Sequence, residues 1–171
     1  MERNLILRRL RYALGLRNRD VQDIMGLGGG DLSDEQVRGL LKREGDDDYV
    51  EASVEEFNAF LDGLIVHRRG KRELEPGQSP PPPILAKNNN TVLRKLRIAF
   101  DLKEEGMREL LATGGHALSK PELSALFRKE GHKHYRECGD QVLRYFLTGL
   151  TKMLRPEEPC DPEESETSER E

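Results

Sequence analysis

His132, His134 and Cys138, with His116 available, are a set of residues whose types suit a metal ion. Zinc takes four such ligands in a tetrahedron. Histidines two positions apart leave a helix on different sides, so only a loop would bring His132 and His134 together. Asp140, close in sequence to His132 and Cys138, adds the third member of a nucleophile, base and acid set, but geometry rather than composition defines a triad. The run Gly26-Leu27-Gly28-Gly29-Gly30 has the glycine content of a phosphate cradle. It follows no strand-like segment and lacks the Gly-Lys-Ser/Thr ending that such a loop uses. No metal, cofactor or catalytic residue is expected from these residues, and the chain reads as a binding protein rather than an enzyme.

An internal comparison supports that reading. Residues 4–69 lie over residues 90–155 at a constant offset of 86, and 21 of the 66 paired positions are identical. A long fixed period of this kind sets the architecture. The first copy carries Asp46, Asp48, Ala52 and Gly30 where the second has His132, His134, Cys138 and His116. One copy is thus built without any such ligand set, and Cys138 takes the place of a small packed alanine.

The elements that position these residues follow from apolar spacing. Each copy reads as four short helices, near 5–15, 19–27, a third after Ser33 and a fourth after Ser53, with equivalents 86 residues on. Asn4 and Asn90 stand where helix N-caps are expected. Gly28-Gly29 and Gly114-Gly115 stop the second helix. Ser33 with Gln36, and Ser119 with Glu122, have the spacing of capping boxes, and Pro121 suits a first turn. Phe60 and Phe146 centre the stripes of the fourth helices. Gly63 and Gly149 interrupt those stripes, which implies close approach of another helix. Arg8 and Arg11, and equally Arg94 and Arg97, share one face of the first helix. Ion pairs from them to Glu44, Glu51, Glu130 and Glu137 are expected, with Tyr49 and Tyr135 anchoring the loop before the fourth helix. No segment has the alternation of a strand. The expected fold is all-α, a tandem duplication of a roughly 66-residue four-helix unit with the two units packed about a pseudo-two-fold axis.

The expected organisation is a first unit over 1–71, a Pro/Asn-rich linker over 72–89, a second unit over 90–155 and an acidic, disordered tail over 156–171. Pro80–Pro83 favour an extended polyproline rod. No apolar run approaches the roughly 20 residues of a membrane span. Two cysteines make no disulfide framework, and the pattern fits a cytoplasmic protein with free thiols. The net charge of −4 hides an asymmetry: residues 4–71 sum to −2, residues 90–155 to +5 and residues 156–171 to −7.

The stretch Phe127 to Leu150, with Asn88 to Phe100 and Phe60 to Lys71, resembles the YehS-like family of bacterial proteins with a duplicated domain of unknown function. The resemblance covers about 4–155. It implies a bacterial cytoplasmic protein and carries no catalytic residue.

Two functions of different class fit the charge pattern. A protein-interaction adaptor would use the surface of the paired units and draw an acidic partner to the second. The alternative is a helix-turn-helix-like nucleic-acid binder, with Lys120, Arg128 and Lys129 on the third helix and its end, and with His132, Lys133, His134 and Arg136 in the loop. Arg94 and Arg97 complete the candidate partner surface. The acidic start of the corresponding helix in the first copy, Asp34-Glu35, and a pI of 5.7 weigh against nucleic acid.

Overall fold

A computed structural model describes residues 1–158 of the chain. Among these residues the structure is helical, with no strand. The elements are α1 (Arg3–Leu14), α2 (Asn18–Leu27), α3 (Asp34–Leu41), α4 (Val54–Arg69), α5 (Asn89–Ala99), α6 (Glu104–Thr113), α7 (Lys120–Leu126) and α8 (Asp140–Leu154). The fold is all-α, and four helices fall in each copy of the repeat.

Local chemistry fixes the helix starts. The Ser33 hydroxyl accepts from Gln36 N at 3.2 Å while Gln36 Oε1 accepts from Ser33 N at 2.8 Å. Ser119 with Glu122, and Ser53 with Glu56, make the same reciprocal pair. Each arrangement satisfies backbone donors that the helix itself leaves free.

The expected caps at Asn4 and Asn90 need correction. Both first helices start earlier, with Glu2 and Asn88 as N-caps, and both asparagines are buried inside the helix. Asn4 Nδ2 donates to Leu40 O (2.9 Å) and Val50 O (2.7 Å), and its Oδ1 accepts from Ala52 N (2.9 Å). Asn90 does the same with Leu126 O, Arg136 O and Cys138 N, each at 2.9 Å. The amide therefore pins the end of the third helix and the start of the fourth to the first. It satisfies buried backbone groups where no helix or sheet can reach them.

Two glycine pairs set the closest helix crossing. A Cβ at Gly63 would lie 1.7 Å from Ile24 O, and one at Gly28 would lie 1.8 Å from Ala59 O. The values for Gly149 against Leu110 O and Gly114 against Tyr145 O are both 1.9 Å. Here α2 meets α4, and α6 meets α8, backbone against backbone. The left-handed residue that ends the second helix is the next glycine, Gly29 (φ 86°) or Gly115 (φ 108°).

The units meet through α1 against α8 and α5 against α4, the exchange that a pseudo-two-fold axis requires. Arg9 donates to Thr148 Oγ1 at 2.9 Å; at the equivalent place Lys95 bonds Asp62, and also Asn58 Oδ1 at 2.9 Å. Arg155 lies over the Tyr12 ring at 4.5 Å, and Arg68 lies over the Phe100 ring at 4.4 Å. One apolar core runs through both units, with Phe60 and Phe146 fully buried. Burial of each ring contributes about 2–3 kcal/mol.

The linker ends in a docked segment: Ala86 is buried and its N donates to Asn58 Oδ1 at 3.2 Å. The tail expected to be disordered from 156 instead begins as a turn, in which Glu158 pairs with Arg155 at 2.6 Å. Its remainder, with Cys160, lies outside the described residues.

Candidate functional site

The segments 42–50 and 128–136 lie between the third helix and the fourth and share a set of backbone hydrogen bonds, although Asp48 is left-handed (φ 62°) and its counterpart His134 is not. Asp46 N donates to Arg43 O, and His132 N donates to Lys129 O, both at 3.0 Å. Tyr49 N meets Asp46 O at 3.2 Å and Tyr135 N meets His132 O at 2.8 Å. Val50 N and Arg136 N reach back to Gly39 O and Ala125 O, both at 3.1 Å. On this common scaffold the charges are opposite. Asp46-Asp47-Asp48 of the first unit correspond to His132-Lys133-His134 of the second, and Val50 to Arg136.

The basic version rims a groove of about 560 Å³ lined by Pro121, Glu122, Ala125, Arg128, His134, Tyr135 and Arg136. Pro121 and Ala125 on the exposed side of α7 supply its apolar part. Tyr135 is half-buried, and burial, followed by Glu130 and Glu137, raises its phenol above the ordinary value. In the first unit Tyr49 donates its hydroxyl to Glu2 Oε1 at 3.2 Å. Glu122 is the one acid of the groove. The Ser119 hydroxyl and backbone hold its carboxyl below the ordinary value, with Arg136 3.6 Å away adding to the effect.

The nine basic candidates do not form one patch. Arg128, His134 and Arg136 line the groove, and Lys129, His132 and Lys133 are exposed beside it. Lys120 turns to Glu104 at 3.2 Å. Arg94 and Arg97 line a separate cleft of about 390 Å³ with Arg69, Ile98, Asp101, Leu102 and Phe127. Sequence spacing gave no sign of Arg69 there, because it arrives from the first unit.

Among the described residues, hydrogen bonds of Arg8, Arg94 and Arg97 go to carbonyls rather than to the expected glutamates. Arg8 donates to Lys42 O at 2.8 Å and Arg94 to Phe127 O at 2.7 Å. These oxygens end the third helix, where a cation meets the negative end of the dipole. Arg97 Nε donates to Leu102 O at 3.1 Å. Among the described residues, Arg11 Nε is buried without an acceptor. Glu51 pairs with Arg3 instead, at 3.1 Å.

The residues with metal or nucleophile chemistry lie apart. His116 stacks on Tyr145 at 5.1 Å. The His132 and His134 rings are 5.8 Å apart, with His134 N donating to His132 Nδ1. Among the described residues no group of three or more His, Cys, Asp or Glu side chains comes together as a metal site. Burial pushes the Cys138 thiol up to about 11, so it stays protonated at neutral pH. Asp140 sits in the first turn of α8, where hydrogen bonds from the Met1 amino group and then Asn89 hold its carboxyl below the ordinary value. The glycine-rich segment borders a depression with Asp23, Asp31 and Asp34, the wrong sign for a phosphate. Among the described residues no helix is long and apolar enough to cross a membrane.

Two units with one backbone design and the same internal asparagine are the structural trace of a duplicated domain. The family described as "Protein of unknown function (DUF1456)" matches residues 3–70 and again residues 89–155. The chain belongs to this family. A relative in Escherichia coli (strain K12), "Uncharacterized protein YehS", is 42% identical over 147 residues, which is 86% of this chain and 92% of the relative. The resemblance to the YehS-like family therefore holds. No solved structure matches the chain. Each match to the DUF1456 family coincides with one four-helix unit, so the charge-inverted loops occupy equivalent places in two copies of the family's domain.

Proposed function

We propose that the protein is a cytoplasmic, non-enzymatic interaction module whose second unit receives an extended acidic segment of a partner protein. The observation that carries this reading is the pair of loops with matched hydrogen bonds and opposite charge. The first unit makes the same backbone hydrogen bonds with Asp46-Asp47-Asp48, so those bonds do not need His132, Lys133, His134 or Arg136. The groove they border suits a peptide. Pro121, Ala125 and the Tyr135 ring offer apolar contact, and the surrounding cations attract carboxylates and steer their approach.

A recognition helix for duplex nucleic acid fits less well. The helix α7 has seven residues, its exposed side carries Glu122, and Lys120 at its start is paired with Glu104.

The test is fluorescence anisotropy of the full chain against a short labelled acidic peptide, a scrambled neutral peptide, duplex DNA and RNA, at low and high salt. The acidic peptide should bind, and Arg128→Glu with Arg136→Glu should remove that binding without loss of helicity. Binding of DNA or RNA that weakens steeply with salt, with none of the acidic peptide, would replace this reading by the nucleic-acid one.

A further inference from the structure

We propose that the cleft between the end of α4 and α5 binds a small organic anion, a carboxylate or phosphate joined to a flat apolar body. The inference is independent of the groove on α7. Three guanidinium groups, from Arg69, Arg94 and Arg97, share a space of about 390 Å³ with a single acid, Asp101. Asp101 is taken by Arg69 at 2.6 Å. Among the described residues, neither Arg94 nor Arg97 meets a carboxylate. Their protein acceptors are carbonyls, Phe127 O and Leu102 O.

Those carbonyls orient the cations. Arg97 is held by Nε to Leu102 O, and its guanidinium lies over the Phe127 ring at 4.8 Å. Among the described residues, both terminal nitrogens of Arg97 are without a hydrogen-bond acceptor. A guanidinium fixed at Nε presents its remaining donors as a planar fork, the geometry that matches a carboxylate or phosphate. Like charges gathered in a concave space with apolar walls also raise the local concentration of anions.

The walls specify the rest of the ligand. Ile98 is 45% exposed at the cleft, and Leu102 and Phe127 are half-buried there. An inorganic anion would leave this apolar surface in water, and a neutral ring would leave the guanidinium groups unmatched. A ligand with both parts uses both. Because Arg69 belongs to the first unit and Arg94 and Arg97 to the second, the bound ligand would bridge the seam between them.

The experiment is calorimetric titration of the full chain with phenyl phosphate and with benzoate, beside inorganic phosphate and phenol. At least one aryl anion should bind with one-to-one stoichiometry and raise the melting temperature, because a ligand of the folded state alone stabilises it. The arms separate phosphate from carboxylate. Inorganic phosphate and phenol should bind about tenfold more weakly or worse, a difference of about 1.4 kcal/mol. Arg97→Lys keeps the charge but loses the fork and the stack, and should weaken the aryl anion about tenfold. If that variant folds poorly, Arg69→Gln frees the Asp101 carboxylate to repel the ligand and should also weaken it. Failure of both aryl anions to saturate, phenol binding as well as the aryl anions, or affinity unchanged in whichever variant folds would overturn the proposal.

Discussion

Asn4 and Asn90 each satisfy two carbonyls and one N–H that the protein buries between helices. Alanine at either position leaves those backbone groups unmatched in a site too tight for easy hydration. The expected cost is about 3 kcal/mol in urea unfolding, as for several buried groups left unsatisfied. Asn88, a conventional cap whose Oδ1 accepts from Thr91 N at 2.9 Å, should cost about 1 kcal/mol as Asn88→Ala. Equal losses at Asn88 and Asn90 would argue against this distinction. The asparagines also show how far residue roles could be read in advance. Their recurrence at one place in both copies marked them, but the cap reading came from propensity, which favours asparagine just outside a helix. The actual partners lie 36 to 48 residues away, and no local pattern encodes them. Arg94 misled in a similar way: the recurrence of Glu130 and Glu137 suggested an ion pair, and the acceptor is a helix-end carbonyl.

Helices were more legible than side-chain partners. Apolar residues three and four apart, serine three residues before Gln36, Glu56 or Glu122, and the glycine stops located all eight helices to within a few residues. The interior glycines of α4 and α8 implied close packing, and the crossing with α2 and α6 supplies the contact. Which helix would make that contact was not legible, because it depends on tertiary packing. Gly63→Ala and Gly149→Ala place a methyl carbon far inside the van der Waals contact distance of a backbone carbonyl oxygen that cannot swing aside. Each should lose about 4 kcal/mol by chemical denaturation, at the severe end for a single substitution. Gly26 is the control: it is helical, with nothing within 4 Å of an added Cβ. Gly26→Ala should gain up to about 1 kcal/mol from helix propensity. Losses confined to one of the two crossings would show that the units are not packed alike.

Across the whole molecule, the pseudo-two-fold arrangement places Arg9 with Thr148 on one side and Lys95 with Asp62 on the other. Lys95 is buried, so Lys95→Ala leaves the Asp62 carboxylate without its cation, with only the Asn58 amide donating to it at 2.7 Å, and should cost about 2–3 kcal/mol. Lys95→Arg combined with Asp62→Thr imports the pair from the other side of the axis and should recover at least half of that loss. No recovery would mean the two sides of the seam are not interchangeable. The surface chemistry follows neither the core nor the seam: one turn, built twice, carries acids in one unit and bases in the other. Repetition and charge were plain in the sequence, but the division of the basic residues between a groove on α7 and a cleft on α5 required the folded chain. Exchanging residues 46–48 with residues 132–134 leaves composition and the net charge of −4 unchanged, and it sets three aspartates at the edge of the α7 groove in place of His132, Lys133 and His134, with Arg128 and Arg136 still lining it. Titration of this variant with the labelled acidic peptide should show affinity reduced about tenfold or more, with helicity retained. Affinity equal to that of the natural chain would place partner binding elsewhere and contradict the assignment of the second unit's loop to that role.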